Sequence, residues 1–256
     1  MIKKLLNSFI IGTSIIICSV NALAQTAIQD FKNVQFASGR VADAWKKYND
    51  TLAVAFKRKN VAYPCSDICL RAFKSQNEME LWARDNDSSE YKLIKTLHIC
   101  AISGALGPKR GQGDNQVPEG YYFIDEFKPY SEYYLAMLIS YPNFSDRLMS
   151  HKPKLGGDIY IHGGCVTIGC MPMTDEGIKE LYTACLAAHL NGQVNIPVHI
   201  YPTHLNKNGM AYLSKSFASD REKQKFWTEM KGEYDYFEKY HKLLPVMYTP
   251  EGNYVN

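Results

Sequence analysis

The sequence lacks a strong charge of either sign. Its 256 residues include 29 Lys and Arg against 26 Asp and Glu, which gives a formal net charge of +3. Lys3 and Lys4 lie in a predicted leader, and its removal leaves a net charge of +1. Proteins that bind nucleic acids usually carry clustered positive charge, so this balance predicts no nucleic-acid partner.

Internal repeats, low-complexity tracts and Pro/Ser-rich linkers are also missing, so no interior domain boundary is indicated. The apolar run near the N-terminus is too short for a comfortable membrane span, and we expect no stable membrane insertion. Without the leader, 232 residues remain, enough for a substantial core. We expect one main domain with helical additions.

Residues 1–24 have the features of a secretory signal peptide. Two early lysines precede an apolar run, and Ala22-Leu23-Ala24 forms a small-x-small cleavage site before Gln25. An uncleaved anchor helix is the alternative, but Asn21 interrupts the run. The sequence therefore predicts export through a cleaved signal peptide into the periplasm.

The cysteines match no common zinc signature. Six remain after removal of the leader: Cys65, Cys69, Cys100, Cys165, Cys170 and Cys185. In "PCSDIC" the C-x3-C pair has no second pair at a matching interval, so Cys65 and Cys69 form either a local disulfide or two buried thiols. An even count in an oxidising compartment permits disulfides, but the pairing does not follow from the sequence.

Hydrophobic periodicity predicts a mixed α+β domain built on a sheet. Helical spacing covers residues 40–58, a helix capped by Thr174, and a last helix that starts at Ser219. Strands are predicted around residues 68–74, 91–103, 120–125, 156–163 and 193–202, with Pro197 favouring an edge position for the last of these. The polar stretch 75–85 looks helix-like, and residues 103–119 are dense in glycine and proline and form a loop without a phosphate-binding P-loop signature.

The stretch "DIYIHGGCVTIGC" brings a histidine and a cysteine close together in sequence. Alternation places Ile159 and Ile161 on one face of a strand and His162 on the other. A cysteine nucleophile needs a base, an open backbone and N–H groups for the oxyanion, and this stretch supplies all three. The same spacing fits a buried core pair, or a zinc site formed by His162, Cys165 and Cys170 with His199, so three interpretations stay open.

The segment "IHGGCVTIGCMPMTD" resembles the active-site motif of the YkuD-type L,D-transpeptidase catalytic domain, in its YafK-like branch. The same resemblance extends to "ICAISGALGPKRGQGDNQVPEGYYFID", "SYPNFSDR" and "FWTEMKGEYDYFEKYHKLLPVMY", from about residue 68 to about 247. It implies a YkuD-like mixed β-sheet or sandwich with flanking helices. Together with the predicted leader and the first helix, it divides the chain into a signal peptide (1–24), an N-terminal helical segment (25–64) and a catalytic domain with its C-terminal helix (65–250).

The resemblance implies roles for single residues. Cys170 matches the nucleophile, His162 the general base, and Gly163 the residue whose carbonyl accepts the second imidazole N–H. Thr167 stands at a Ser/Thr position of the motif, and the amides of Gly169 and Cys170 become the expected oxyanion donors. The loop and its surroundings are expected to supply substrate-binding side chains: Lys109, Asp114, Gln116, Glu119 and, at the rim, Asn143.

Two positions depart from the broader family pattern. A second histidine and an arginine flank the nucleophile there, whereas this chain has Ile168 and Pro172. We expect Lys109 or Arg110 to replace the arginine, and His162 to be the single base. We also expect Cys170 to be a thiolate paired with an imidazolium, with a lowered pKa.

The reaction implied by the resemblance is attack of Cys170 on the acyl carbon at the L-centre of diaminopimelate in peptidoglycan stem peptides. The resulting thioester is resolved by an amine or by water, giving a transpeptidase, an L,D-carboxypeptidase or an endopeptidase. Partners are stem peptides and a covalently attached wall protein, and no metal or organic cofactor is expected. A non-catalytic wall-binding module and a zinc-dependent hydrolase are the alternatives.

Overall fold

The computed structural model describes residues 25–255, so the predicted leader lies outside the described residues. Two helices begin this part of the chain: α1, described over 25–36, and α2 at Gly39–Arg58. The helix predicted over residues 40–58 is confirmed, and its apolar stripe of Val41, Ala44, Leu52 and Phe56 is buried. Within the described range, no helix combines the length and apolar character needed to cross a membrane.

One mixed sheet of eight strands forms the centre of the fold, in the order β3-β2-β1-β8-β4-β5-β6-β7. Most neighbours pair antiparallel, but β1 with β8 and β6 with β7 are parallel. The strands are β1 Ile68–Phe73, β2 Glu78–Ala83, β3 Lys92–His98, β4 Gly120–Ser131, β5 Tyr134–Ile139, β6 Tyr160–His162, β7 Met171–Pro172 and β8 Ile196–Tyr201. A separate antiparallel pair, β9 Met247–Tyr248 and β10 Tyr254–Val255, lies at the C-terminal end of the described residues.

Two local predictions were wrong. The helix-like stretch 75–85 contains β2, in which Met79, Leu81 and Ala83 are buried and alternate with partly exposed residues, a period of two rather than 3.6. Pro197 does not mark an edge, because β8 lies between β1 and β4. Pairing with β1 begins only at Val198, so the missing N–H of Pro197 lies where β1 offers no partner.

The remaining helices are α3 Phe144–Met149, α4 Asp175–Leu190, α5 Lys207–Ser216 and α6 Arg221–Tyr240. Thr174 caps α4 as predicted, since its side chain accepts a hydrogen bond from the Gly177 amide at 3.0 Å. The last helix starts later than Ser219, and its cap is Asp220, which accepts from the Lys223 amide.

Apolar residues cover both faces of the sheet, which confirms the α+β class. One face packs against α2 and α4 around Leu70, Val198 and Ile200, and the other packs against α6 around Phe73 and Tyr201. The arrangement leaves the short strands β6 and β7 at one end of the sheet, next to residues 99–119, which include the glycine-rich loop 104–119. Both residues of the His-Cys motif lie at this end.

Candidate active site

Two short parallel strands position the histidine and the cysteine. Ile161 pairs with Met171 and His162 with Pro172, so Cys170, directly before β7, stands opposite Tyr160. Ile161 and Met171 are fully buried in the core. Side chains alternate along a strand, so Cys170 and His162 share the face opposite this buried pair, two residues apart along the strand direction.

The Cys170 sulfur is the accessible thiol among the described residues. The three other free cysteines, Cys65, Cys69 and Cys185, are buried, whereas Cys170 is half-buried. Its Sγ accepts a hydrogen bond from the Tyr160 amide at 3.4 Å and donates to the Asp158 carbonyl at 3.6 Å. Cys65 and Cys69 are two buried thiols, which decides between the two alternatives for the C-x3-C pair.

The His162 ring is fixed in one tautomer. Its Nδ1 lies 2.5 Å from the Gly163 carbonyl oxygen, as expected from the sequence. A carbonyl can only accept, so Nδ1 carries the proton and Nε2 of the neutral ring is left as the basic nitrogen. The Tyr133 ring packs on the imidazole with a centroid distance of 4.6 Å.

Burial disfavours the charged form of both His162 and Cys170. It lowers the pKa of His162, although the Gly163 carbonyl opposes that shift. Burial likewise raises the pKa of Cys170, with Asp158 adding to the rise, while the Tyr160 amide and Lys109 oppose it. These directions are opposite to those expected for a thiolate–imidazolium pair with a lowered cysteine pKa.

The turn between His162 and Cys170 is held by its own hydrogen bonds. Thr167 Oγ1 donates to the Cys170 carbonyl at 2.7 Å and accepts from the Gly169 amide at 3.0 Å. Gly169 adopts φ +144°, a conformation that favours glycine. Its amide is occupied by Thr167, which corrects the expectation of two oxyanion donors and leaves the Cys170 amide as the candidate.

A disulfide joins this turn to the segment that follows β3. Cys165 is bonded to Cys100, 65 residues away in sequence, a pairing that the sequence analysis left open. The Cys100 amide donates to the Pro172 carbonyl at 2.8 Å. The segment after β3 is therefore bonded to one residue before Cys170 in the sequence and to one residue after it.

The polar side chains of the loop 104–119 bind mainly to the loop itself. Lys109 is buried and donates to Asp114 and to the Gly111 carbonyl. Asp114 also accepts from three backbone amides, and these bonds, led by Lys109, outweigh burial and lower its pKa. Gln116 donates through its side chain to the carbonyls of Ala105 and Gly107.

This loop nevertheless forms one wall beside Cys170. A Cβ placed on Gly169 would lie 3.4 Å from the Gln116 carbonyl oxygen, so the loop backbone packs directly on the nucleophile turn. Gln116 thus packs on the nucleophile turn and the charge of Lys109 acts on Cys170, while the polar atoms of Lys109, Asp114 and Gln116 bond mainly within the loop.

Two predicted substrate-binding residues lie elsewhere. Glu119 is fully buried and accepts from Lys74 at 2.8 Å and from the Trp227 indole at 2.7 Å. Asn143 caps α3 by accepting from the Asp146 amide, and it donates to Tyr254 and to the Tyr121 carbonyl. Their hydrogen bonds make both residues structural, so they are removed from the predicted substrate cleft.

Lys74 is the residue that the sequence analysis missed. Its ammonium donates to the carbonyls of Ala105, Gly107 and Val117 as well as to Glu119. The available signal was its position directly after the apolar strand "ICLRAF", because a lysine at the end of a buried strand is itself buried and then requires polar partners. It fixes both ends of the loop whose middle borders Cys170.

Neither cation proposed to replace the family arginine is free. Lys109 pairs with Asp114, and Arg110 pairs with Asp146 at 3.0 Å. Pro172 itself is buried in the pairing of β6 with β7.

The zinc interpretation also loses its ligands. Cys165 is held in the disulfide, and His199 lies on β8, where it faces Glu233 at 3.4 Å. Strands β4 and β5 separate β8 from β6 in the sheet. Across residues 25–255, no three His, Cys, Asp or Glu side chains are grouped so that they could hold a metal ion.

Comparison with known proteins adds a family match. Residues 71–200 match the family YkuD, described as the L,D-transpeptidase catalytic domain. YafK of Escherichia coli strain K12, provisionally named as an L,D-transpeptidase, is 36% identical over 192 residues, or 74% of each chain.

Solved structures are more distant. The crystal structure of Pgp2, the helical cell shape determining protein of Campylobacter jejuni, has a TM-score of 0.43 and 15% identity, covering 73% of this chain and 74% of Pgp2. A point mutant of Pgp2 gives a TM-score of 0.43 and 20% identity, and here the match covers 60% of this chain and 55% of that one.

Proposed function

The chain belongs to the YkuD family of L,D-transpeptidase catalytic domains, and from this premise we propose that it is a peptidoglycan-modifying cysteine enzyme. The observation that carries the proposal is the arrangement of Cys170 and His162. The accessible thiol and the imidazole lie on one face of β6 and β7, and the Gly163 carbonyl directs the ring so that Nε2 is basic.

In the proposed reaction, Cys170 Sγ attacks the acyl carbon at the L-centre of diaminopimelate in a stem peptide. His162 Nε2 takes the thiol proton as the C–S bond forms, because both groups start neutral. The Cys170 amide stabilises the oxyanion of the tetrahedral intermediate. The C–N bond then breaks, and the leaving amine accepts the proton from His162.

The thioester is resolved by a second nucleophile. Attack by an amine gives transpeptidation, and attack by water gives L,D-carboxypeptidase or endopeptidase activity. Proposed substrates are stem peptides and a wall protein covalently attached to them. The family and the predicted leader support a periplasmic location, with a signal peptide over residues 1–24 and a catalytic domain over 65–250.

The test is product analysis on defined substrates. The mature protein is incubated with tetrapeptide and pentapeptide muropeptides, and with sacculi that carry an attached protein, and the products are identified by mass. We expect release of the group joined to the diaminopimelate L-centre by the parent and none by Cys170→Ala. A non-catalytic wall-binding module would bind sacculi and leave every mass unchanged.

A further inference from the structure

A groove of about 610 Å³ lies between residues 110–114 and residues 152–154. Two hydrogen bonds join its walls: the Gln112 amide donates to the Lys154 carbonyl at 2.9 Å, and Ser150 Oγ donates to the Arg110 carbonyl at 2.6 Å. The two loops that form the groove are therefore held together by direct hydrogen bonds.

The charges around the groove do not balance. Arg110 and Asp114 both line it, but Arg110 is paired with Asp146, and Asp114 is paired with Lys109. Lys152 and Lys154 are exposed, and among the described residues neither forms an ion pair. Two uncompensated positive charges thus face the groove.

Both walls lead to the nucleophile. The wall at 110–114 continues to Gln116, whose backbone packs on Gly169. The wall at 152–154 continues to Asp158, whose carbonyl oxygen lies 3.6 Å from Cys170 Sγ. Asp158 lies four positions after Lys154, so the two Cα atoms are at most about 14 Å apart. A peptide bound to Cys170 as a thioester covers about 14 Å with about four extended residues.

We propose that this groove binds the carboxylate groups of an acidic peptide substrate, with Lys152 and Lys154 as the cations. The proposal rests on the proposed function and names the chemical class that its substrate site selects. The two lysines would also supply the positive charge of the family arginine, whose position holds Pro172 here and which the paired Lys109 and Arg110 do not replace. Lysine ammonium groups on flexible stems act here as point charges rather than as a fixed bidentate fork.

Binding of two peptides to a protein that cannot turn them over tests the proposal. Cys170→Ala is the parent, and the ligands are a stem tetrapeptide with free carboxylates and the same peptide with its carboxylates amidated. Lys152→Gln/Lys154→Gln is compared with Lys57→Gln/Lys59→Gln, a pair of exposed lysines with the same spacing at the end of α2. Dissociation constants are measured by calorimetry at low ionic strength and in about 0.5 M NaCl.

We expect the groove variant to weaken binding of the free-carboxylate peptide by about five- to tenfold at low salt, since two exposed ion pairs are lost. The difference should shrink in high salt, and the amidated peptide should bind parent and variant equally. Equal affinity of the parent for both peptides, or equal effects of the groove and control variants, would overturn the proposal. Carboxylate discrimination without turnover of muropeptides by the wild type would uphold the groove and reject the proposed reaction.

Discussion

Burial raises the pKa of the Cys170 thiol and lowers the pKa of the His162 imidazole, so it favours the uncharged form of both groups. No carboxylate contacts the His162 ring among the described residues, since Nδ1 faces the Gly163 carbonyl and Tyr133 covers the ring. We therefore expect the proton to move from Cys170 to His162 during the attack rather than before it. A general base with a low pKa remains competent in mildly acidic solution.

The first prediction concerns the pH dependence of turnover. Neutral His162 is the active form, so kcat/KM should fall as the pH drops through the pKa of His162. That pKa lies below its ordinary value of 6.5, so the midpoint of the acid limb should lie below 6.5. The measurement is kcat/KM against pH for the parent, His162→Gln, and His98→Ala, which removes an exposed histidine at the end of β3.

We expect His98→Ala to reproduce the parent profile and His162→Gln to lose most activity together with the acid limb. A midpoint well above 6.5, or an acid limb that persists in His162→Gln, would show that another group is the base.

The second prediction concerns the disulfide between Cys100 and Cys165. A cross-link that closes a long loop stabilises the fold by about 2–4 kcal/mol, and this one also fastens the nucleophile turn. Cys100→Ala/Cys165→Ala should lower the free energy of unfolding by that amount and reduce kcat. Urea denaturation and turnover are measured together, with Cys185→Ala as a control that removes a buried thiol outside the disulfide. Unchanged stability and kcat in the double variant would exclude this role.

At the scale of elements, the loop 104–119 depends on one buried ion pair. Lys74 and Glu119 are both fully buried and bind each other, three loop carbonyls, the Gly107 amide and the Trp227 indole. The pair connects β1, the loop and α6. It holds the loop against the nucleophile turn without contacting the proposed substrate.

The third prediction follows from this pair. Lys74→Met leaves the Glu119 carboxylate buried without its cation and should destabilise the protein by about 3–5 kcal/mol. Adding Glu119→Gln removes the unpaired charge, so the double variant should be more stable than Lys74→Met alone. A double-mutant cycle of urea denaturation curves measures the coupling. Additive single effects would mean that the two residues do not act as a pair.

At the scale of the whole molecule, elements with strong periodicity were predictable. Helices α2 and α4 and strands β1, β3, β4, β6 and β8 followed from apolar spacing and caps, whereas β5, β7, β9 and β10 were not predicted. The position of His162 opposite Ile161 followed from alternation. The helix prediction for residues 75–85 was wrong because polar residues make the two-residue alternation weak in the sequence. The alternation becomes evident from the pairing of β2 with β1 and β3. Sequence distance could not reveal that Cys165 meets Cys100, since the two lie 65 residues apart.

The candidate site was predictable in its centre and less so in its surroundings. A local motif fixed the order His162, Gly163, Cys170, and resemblance to a family assigned their roles. Whether Glu119 or Asn143 faces a cleft or the interior depends on distant partners such as Trp227 and Tyr254. Charge state likewise depends on burial, so the pKa directions of Cys170 and His162 required the folded chain.

The most direct test of the account is capture of the acyl-enzyme. The mature protein is mixed with a stem tetrapeptide, quenched in acid within one turnover, digested and analysed by mass. The account predicts an adduct on the peptide that contains Cys170, with the mass of the tetrapeptide less its released C-terminal amino acid, and no adduct in Cys170→Ala. An adduct on another residue, or product formation that persists in Cys170→Ala, would contradict the assignment of Cys170 as the nucleophile.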